Sequence, residues 1–288
     1  MIRLATRSSA QARTQAEVVA QSITSATGLP VELVFVETLG DQNKDQPLHQ
    51  IGGQGIFVKE VQQAVLRGDA DIAVHSAKDL PSQHAEGLVI GAWCERRDAR
   101  DALVGKSLSD LEFGATVATG SVRRRAQLLT VRPDLQFVEL RGNIHTRLEK
   151  IPNNGSIVMA IAAMQVLGIT DRITEELATT DFIPMVGQGC VAVECREGDS
   201  NTLAAVSSID HARTRFAVEI ERAFLAELGA GCSMPVGAYV NESNVLSTFM
   251  ATGATNSDRH VKFVETVPPV DAHEFARELA RKSQSALA

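Results

Sequence analysis

Four short segments of this 288-residue chain bring together residue types that could do chemistry. In His75-Ser76-Ala77-Lys78-Asp79-Leu80-Pro81 a cation and a carboxylate stand side by side, and the proline fixes the turn that follows. Gly120-Ser121-Val122-Arg123-Arg124-Arg125 places three guanidinium groups where a helix would begin. Helix N-termini attract anions, so arginines crowded there oppose the helix dipole unless something negative is bound. Arg141-Gly142-Asn143-Ile144-His145-Thr146-Arg147 repeats the arrangement, and Arg7 with Ser9 adds a further anion contact near the start. Finally, Gly229-Ala230-Gly231-Cys232-Ser233-Met234-Pro235-Val236-Gly237 holds a cysteine in a glycine-rich turn. Each segment has a plainer reading. Lys78–Asp79 could be a surface ion pair of little energetic weight, and the arginines a solvated basic turn. Arg125 and Arg132 are expected to face solvent on the outer side of their helix. Cys94, Cys190 and Cys195, in or beside apolar runs, are expected to be inert core thiols.

The composition sharpens what those arginines are for. The chain has 21 Arg against 7 Lys, although its net charge is −7. Guanidinium forks suit carboxylates and phosphates better than ammonium groups do. Residues 123–150 nevertheless carry a local net charge of +4. An acidic chain with 4% aromatic residues, including a single Trp93 and a single Tyr239, is not built to bind nucleic acid. There is no C-x-x-C pair and no histidine at metal-ligand spacing, so no metal site is expected. Hydrophobic residues at 44% exclude a disordered chain. The longest apolar window, Ile157 to Ile169, is broken by Gln165 and falls short of a membrane span. Met1 to Gln11 lacks the apolar core of a secretion signal, so a cytoplasmic protein without a disulfide framework is expected.

The elements that would position these segments alternate. A strand from Ile2 to Thr6 precedes a helix capped by Ser8 or Ser9 and ending near Gly28. Val31–Glu37 reads as a strand, Thr38–Gly55 as a long polar loop, and Ile56–Arg67 as a helix. Ala70–His75 and Leu88–Trp93 read as further strands. Glu95 to Asp101 is a charged patch suited to a hinge. Strand 115–119, a helix from Ser121, strand 135–140, a helix from Asn143 and strand 156–162 make a second unit. Val191–Cys195 is expected to return to the first. Asp210–Leu228 is a long amphipathic helix, and Ala272–Ala286 closes a small α+β region. Alternation of this kind predicts parallel α/β sheets, with ligands beyond the strands' C-terminal ends. The expected fold is thus two α/β lobes resembling periplasmic binding proteins with a cleft between them, plus a small C-terminal α+β domain. Its expected units are residues 1–95 with 190–208, residues 96–189, and residues 209–288, the last carrying Cys232.

Taken together, Ala5-Thr6-Arg7-Ser8-Ser9, Phe57-Val58-Lys59-Glu60, Ala73 to Pro81, Thr119 to Arg124, Leu140 to Asn143, Thr146-Arg147-Leu148, Gly187-Gln188-Gly189 and Gly231 to Gly237 resemble the porphobilinogen deaminases (hydroxymethylbilane synthases). The likeness runs in order from residue 3 to about residue 240. It implies a transferase of porphyrin, tetrapyrrole and haem biosynthesis that joins four porphobilinogen molecules head to tail with loss of ammonia. It also implies a dipyrromethane cofactor bound through a thioether to Cys232. Asp79 takes the place of the family's catalytic aspartate, stabilising the cationic azafulvene formed as ammonia leaves. Lys78, Ser121, Arg123, Arg124 and Arg147 are then cofactor-carboxylate ligands, and Arg7, Ser9, Arg141 and Gln188 substrate contacts. Partners implied are porphobilinogen itself and a transient hand-over to uroporphyrinogen-III synthase, with the chain a monomer and no nucleic acid or membrane involved. This sequence departs from many relatives at Gln50 and Gln54, where lysine is frequent, and at Val166, often arginine. The competing reading is a two-lobed carboxylate or anion sensor without catalysis. A pyridoxal-phosphate enzyme built on Lys78 would lack a phosphate cradle and leave Cys232 unexplained.

Overall fold

The computed structural model describes residues 1–38, 55, 57–229 and 234–288. Cys232, most of the polar loop expected at 38–55, and both Gln50 and Gln54 lie outside the described residues.

The first lobe is built on β1 (Ile2–Arg7), β2 (Val31–Val36), β3 (Ile72–Ser76), β4 (Leu88–Trp93) and β10 (Val191–Arg196), in the order β2-β1-β3-β10-β4. Helix α1 (Ala10–Thr27) starts where Ser9 Oγ accepts the Ala12 amide at 3.3 Å, and it stops where Gly28 turns left-handed. A second helix, α2 (Lys59–Leu66), begins three residues later than its apolar spacing suggests. Strands β1, β2 and β3 run parallel, but β10 pairs antiparallel with both β3 and β4. The all-parallel expectation is therefore corrected. A strand arriving from another lobe enters the sheet from the opposite end, and needs no crossover helix to do so.

The second lobe repeats the plan with β5 (Asp101–Gly105), β6 (Thr116–Ala118), β7 (Gln136–Val138), β8 (Ser156–Ala160) and β9 (Glu175–Leu177), ordered β7-β6-β8-β5-β9. Here β5 is the antiparallel strand, paired with β8 and β9. Sequence reading placed a hinge where β5 begins, and the strand was not expected. Helices α3 (Val122–Val131) and α4 (Ile144–Leu148) start at Ser121 and Asn143, whose side chains accept the amides of Arg124 and Thr146. Residues 161–162, expected to extend a strand, instead open helix α5 (Ile161–Val166).

After helix α6 (Ser200–Ser207) and the long α7 (Ala212–Glu227), strands β11 (Val236–Val240), β12 (Val245–Ala251) and β13 (His260–Thr266) form a three-stranded antiparallel sheet, closed by α8 (Ala272–Leu287). Ile220, Phe224, Leu246, Leu279 and Ala280 fill the core of this third unit. The chain is thus mixed α/β, with two sheet-containing lobes and a small third domain of sheet and helix.

Two segments cross between the lobes side by side. Cys94 N donates to Val191 O, Arg97 N to Gly189 O, and Ala77 N to Cys190 O, each at 2.9 Å. Gly187 and Gly189 both have positive φ, and a Cβ at either would press on backbone, 2.6 Å from Arg97 O in the case of Gly189. Only glycine lets the crossing strands approach so closely. Trp93 is fully buried beside them, in a cluster with Leu80 of the first lobe and Val218 of α7.

Candidate active site

Parallel pairing determines where the charged segments emerge. Strands β1 and β3 are neighbours and run the same way, so Arg7, Lys78 and Asp79 leave the first sheet at one edge. Strands β6 and β7 are likewise parallel neighbours, and the segments 120–125 and 140–147 follow them at one edge of the second sheet. Lys78 and Asp79 occupy a short 3-10 turn, Ala77–Asp79, directly after β3.

The charges from the two lobes act on one another. Burial pushes the Lys78 ammonium down to about 8; Arg124 and Arg147 push the same way, while Asp79 and Asp101 oppose them. Burial also pushes the Arg147 guanidinium down to about 10, with Arg124 and Arg141 adding to it and Asp79 opposing. Lys78 and Asp79 of one lobe therefore share a field with Arg124, Arg141 and Arg147 of the other. Among the described residues, Arg141 Nη1 is buried with no hydrogen-bond partner. Unsatisfied buried donors are rare, and cations depressed by their neighbours are relieved by an anion. The donor set thus fits a ligand bearing several carboxylates.

Not every expected ligand points outward. Arg123 is buried, with Nη2 on Asp101 Oδ2 at 2.7 Å and Nη1 on Ile183 O at 2.7 Å. Arg124 places Nη2 and Nε on Asp101 Oδ1 at 2.7 and 3.1 Å, and Nη1 on Val158 O. Gln188, expected beside the substrate, is buried and gives its amide to Ala99 O and Asp101 Oδ1 at 2.7 and 2.9 Å. All three converge on Asp101, which is fully buried at the start of β5. Burial opposes its charge, yet Arg123 and Arg124 hold the carboxyl far below the usual range. Asp101 is hidden in the sequence as the last residue of the charged patch Glu95 to Asp101. Its signal was an acid opening the apolar run Ala102-Leu103-Val104.

The remaining expected residues have identifiable places. Arg7 lies over the Phe57 ring at 4.1 Å. Ser9 and Ser121 serve as helix caps, and Arg147 Nε donates to Gly142 O at 2.8 Å. Arg125 packs over the Phe137 ring at 5.1 Å. Arg132 is not the solvated residue expected: it bonds Asp134 through Nε and Nη2 and the carbonyls of Leu108, Leu111 and Glu112. It ties α3 to the loop before β6 because five donors in a fixed fork can gather several carbonyls at once. Cys190 and Cys195 are buried, and burial pushes the thiols of all three described cysteines up. Among the described residues no cluster suited to a metal occurs, and no helix is long and apolar enough to cross a membrane.

A second buried carboxylate ties the third unit to the crossing segments. Glu221 of α7 accepts Arg96 Nη1 at 2.6 Å, Gly187 N at 2.9 Å and Val240 N at 2.9 Å. Arg96 in turn lies over the Tyr239 ring and donates Nε to Gln188 O.

Comparison with known proteins agrees over nearly the whole chain. Residues 2–204 match the family model "Porphobilinogen deaminase, dipyromethane cofactor binding domain", and residues 215–282 match "Porphobilinogen deaminase, C-terminal domain". A porphobilinogen deaminase of Thermobifida fusca is 43% identical over 291 residues, covering 97% of this chain and 91% of that protein. One from Geotalea daltonii is 38% identical over 289 residues, covering 98% and 90%. Among solved structures, the methionine-binding protein MetQ is similar at a TM-score of 0.44 and 17% identity, over 72% of this chain and 89% of that one. That structural likeness is too weak to carry an argument.

Proposed function

The chain belongs to the porphobilinogen deaminase family, and from that membership we infer how its own side chains divide the work. It is a deaminating transferase of tetrapyrrole biosynthesis that joins four porphobilinogen molecules head to tail into hydroxymethylbilane, and its cofactor is dipyrromethane. A non-catalytic anion sensor is not favoured, given the matches to both family domains.

The cofactor is proposed to be held through a thioether to Cys232, with Lys78, Ser121, Arg124 and Arg147 around its carboxylates. When bound, it supplies the pyrrole carbon from which the chain is extended. Arg7, Ser9 and Arg141 are assigned to the carboxylates of incoming substrate. The observation that carries this reading is the buried, unpartnered Nη1 of Arg141 among cations from both lobes. Charge-assisted, forked bonds to acetate and propionate groups are what such an array makes well. Arg123 and Gln188 take a supporting role, keeping Asp101 charged and Arg124 in place. Asp79 accepts hydrogen bonds from pyrrole N–H groups, and its negative charge favours the substrate once ammonia departs and a cation remains. The lobes 1–95 with 190–208 and 96–189, and the domain 209–288, are proposed as the units that move. The same reading places the protein in the cytoplasm as a monomer, with a transient hand-over of product to uroporphyrinogen-III synthase.

Intact-mass spectrometry tests the anchor. The purified protein should carry the mass of two pyrrole units, and Cys232→Ser should lose it while Cys94→Ser, Cys190→Ser and Cys195→Ser keep it. Active protein with an unmodified mass would overturn the assignment.

A further inference from the structure

Arg222 sits on α7, one residue beyond Glu221, and is buried. Its Nη2 donates to Pro81 O at 2.8 Å and to Ser82 O at 3.3 Å, the two carbonyls that follow Asp79-Leu80. Its guanidinium lies 5.7 Å from the Trp93 ring centroid. Among the described residues no carboxylate comes within ion-pair distance of it; Glu194 and Glu219, which act on it through space, are themselves taken up, the first by Gln62 and His75 and the second by Trp93 and Arg215. A buried guanidinium bonded only to main-chain carbonyls is an expensive way to fill space, since burial without a counter-charge disfavours its charged form. Four residues earlier on the same face of α7, Val218 packs in one cluster with Ala77 and Leu80. The face formed by Val218 and Arg222 therefore clasps the turn that carries Lys78 and Asp79 from both sides. Beyond Glu227 the same helix leads, within five residues, to Cys232.

We propose that Arg222 is a positioning residue of the reaction: by capping the Pro81 and Ser82 carbonyls it fixes the Lys78–Asp79 turn on the helix that leads to Cys232. The inference rests on Asp79 acting on substrate, as assigned above. It assigns to the third domain a direct hold on the acid's loop, separate from its hold on the crossing segments through Glu221. Removing the two bonds frees the turn without touching a substrate-binding group, so the effect belongs on kcat and leaves KM nearly unchanged.

The test is a double-mutant cycle on cofactor-loaded enzyme, with Arg222→Gln, Asp79→Asn and the pair. Arg222→Gln should keep the cofactor mass and a cooperative melt, shifted down by only a few degrees, lower kcat by about 10- to 100-fold, the scale of small misplacements at a reacting centre, and speed amide exchange in residues 77–82. Arg222→Lys, with donors for both carbonyls, should recover part of the loss. In the Asp79→Asn background Arg222→Gln should cost little more, because the group it positions is gone. If the two losses multiply in full while Asp79→Asn alone is slow, Asp79 keeps its role and this inference falls. If Asp79→Asn is as active as the parent, the assignment of Asp79 fails and takes the inference with it. Should Arg222→Gln not fold, Arg222→Met, which keeps the packing on Trp93, runs the same cycle, and the same outcomes support or overturn the inference.

Discussion

Asp79 follows β3 and Asp101 opens β5, and the protein treats the two acids in opposite ways. Asp101 is fully buried and carries two guanidinium groups and a carboxamide on its two oxygens. Asp79 lies in a part-buried turn beside Lys78, in the field of Arg147, with the crowd of cations in front of it. One carboxylate organises the arginines; the other, in the role proposed above, meets a ligand among them. The difference teaches that a buried acid at such a site need not be the reacting one. An array of cations assembled to hold carboxylates would repel itself without an internal counter-ion. Asp101 supplies that charge where no ligand can compete for it.

Changes at the two acids should separate cleanly. Asp101→Asn leaves Arg123 and Arg124 buried without their counter-charge, a loss of about 3–5 kcal/mol in unfolding free energy. The fall in denaturant midpoint measures it. A variant as stable as the parent would mean the network is ornamental. The folded pKa of Asp101 is held below its ordinary 3.8, so its contribution is complete above that value and is lost as pH falls through the folded one. Acid unfolding of Asp101→Asn should accordingly be less steep below about pH 4.

Asp79→Asn should do the reverse. It should leave the denaturant midpoint alone and lower kcat by about 10²-fold, the scale of losing one well-placed electrostatic group. Steady-state kinetics on enzyme loaded with preformed cofactor measure that directly. Arg123→Lys sharpens the contrast further. The ammonium cannot span both Asp101 and Ile183 O, so about 1.5–3 kcal/mol of stability should go with the lost charged bond. Activity should fall only as far as Arg124 is disturbed. Equal effects on kcat from Arg123→Lys and Arg124→Lys would show that Arg123 also meets ligand.

The smallest expected effect is at Lys78. Its folded value near 8 lies below the ordinary 10.5, so between the two the unfolded chain binds more protons and folding stability rises with pH. Cofactor-free protein should therefore gain stability relative to Lys78→Gln as pH climbs through that window. Melting curves across the range check it, and a flat difference would place Lys78 in a more solvated setting.

How much of this the residues announced depends on how local the cause is. Ser9, Ser121 and Asn143 were legible because a cap needs only its own next three residues. The segments after β3, β6 and β7 were legible because polar groups at the end of an apolar run have few other places to be. Strand β5 was not, since its partners β8 and β9 lie more than fifty residues further on. The pairing of Arg132 with Asp134 and of Arg123 with Asp101 was illegible for the same reason. A guanidinium reads alike whether its acceptor is solvent, Asp134 or Asp101, and only the tertiary pairing decides. The anchoring of the Asp79 turn by Arg222 spans about 140 residues and has no local mark at all.

The placement of β10 between β3 and β4 has a consequence for how the chain is made. The first sheet lacks an inner strand until residue 196 has left the ribosome, whereas every strand of the second sheet is present once residue 177 has emerged. Synthesis runs from the N-terminus, and domains generally fold as units in the order they appear. Here the order is inverted: the inserted lobe can close first, while residues 1–95 wait with an unpaired strand on either side of a gap. The waiting lobe exposes the edges of β3 and β4, the kind of surface that pairs with other chains. A nascent chain stalled at about residue 185 should thus have a first lobe that protease cuts readily, whereas in the released full-length chain the same lobe resists it.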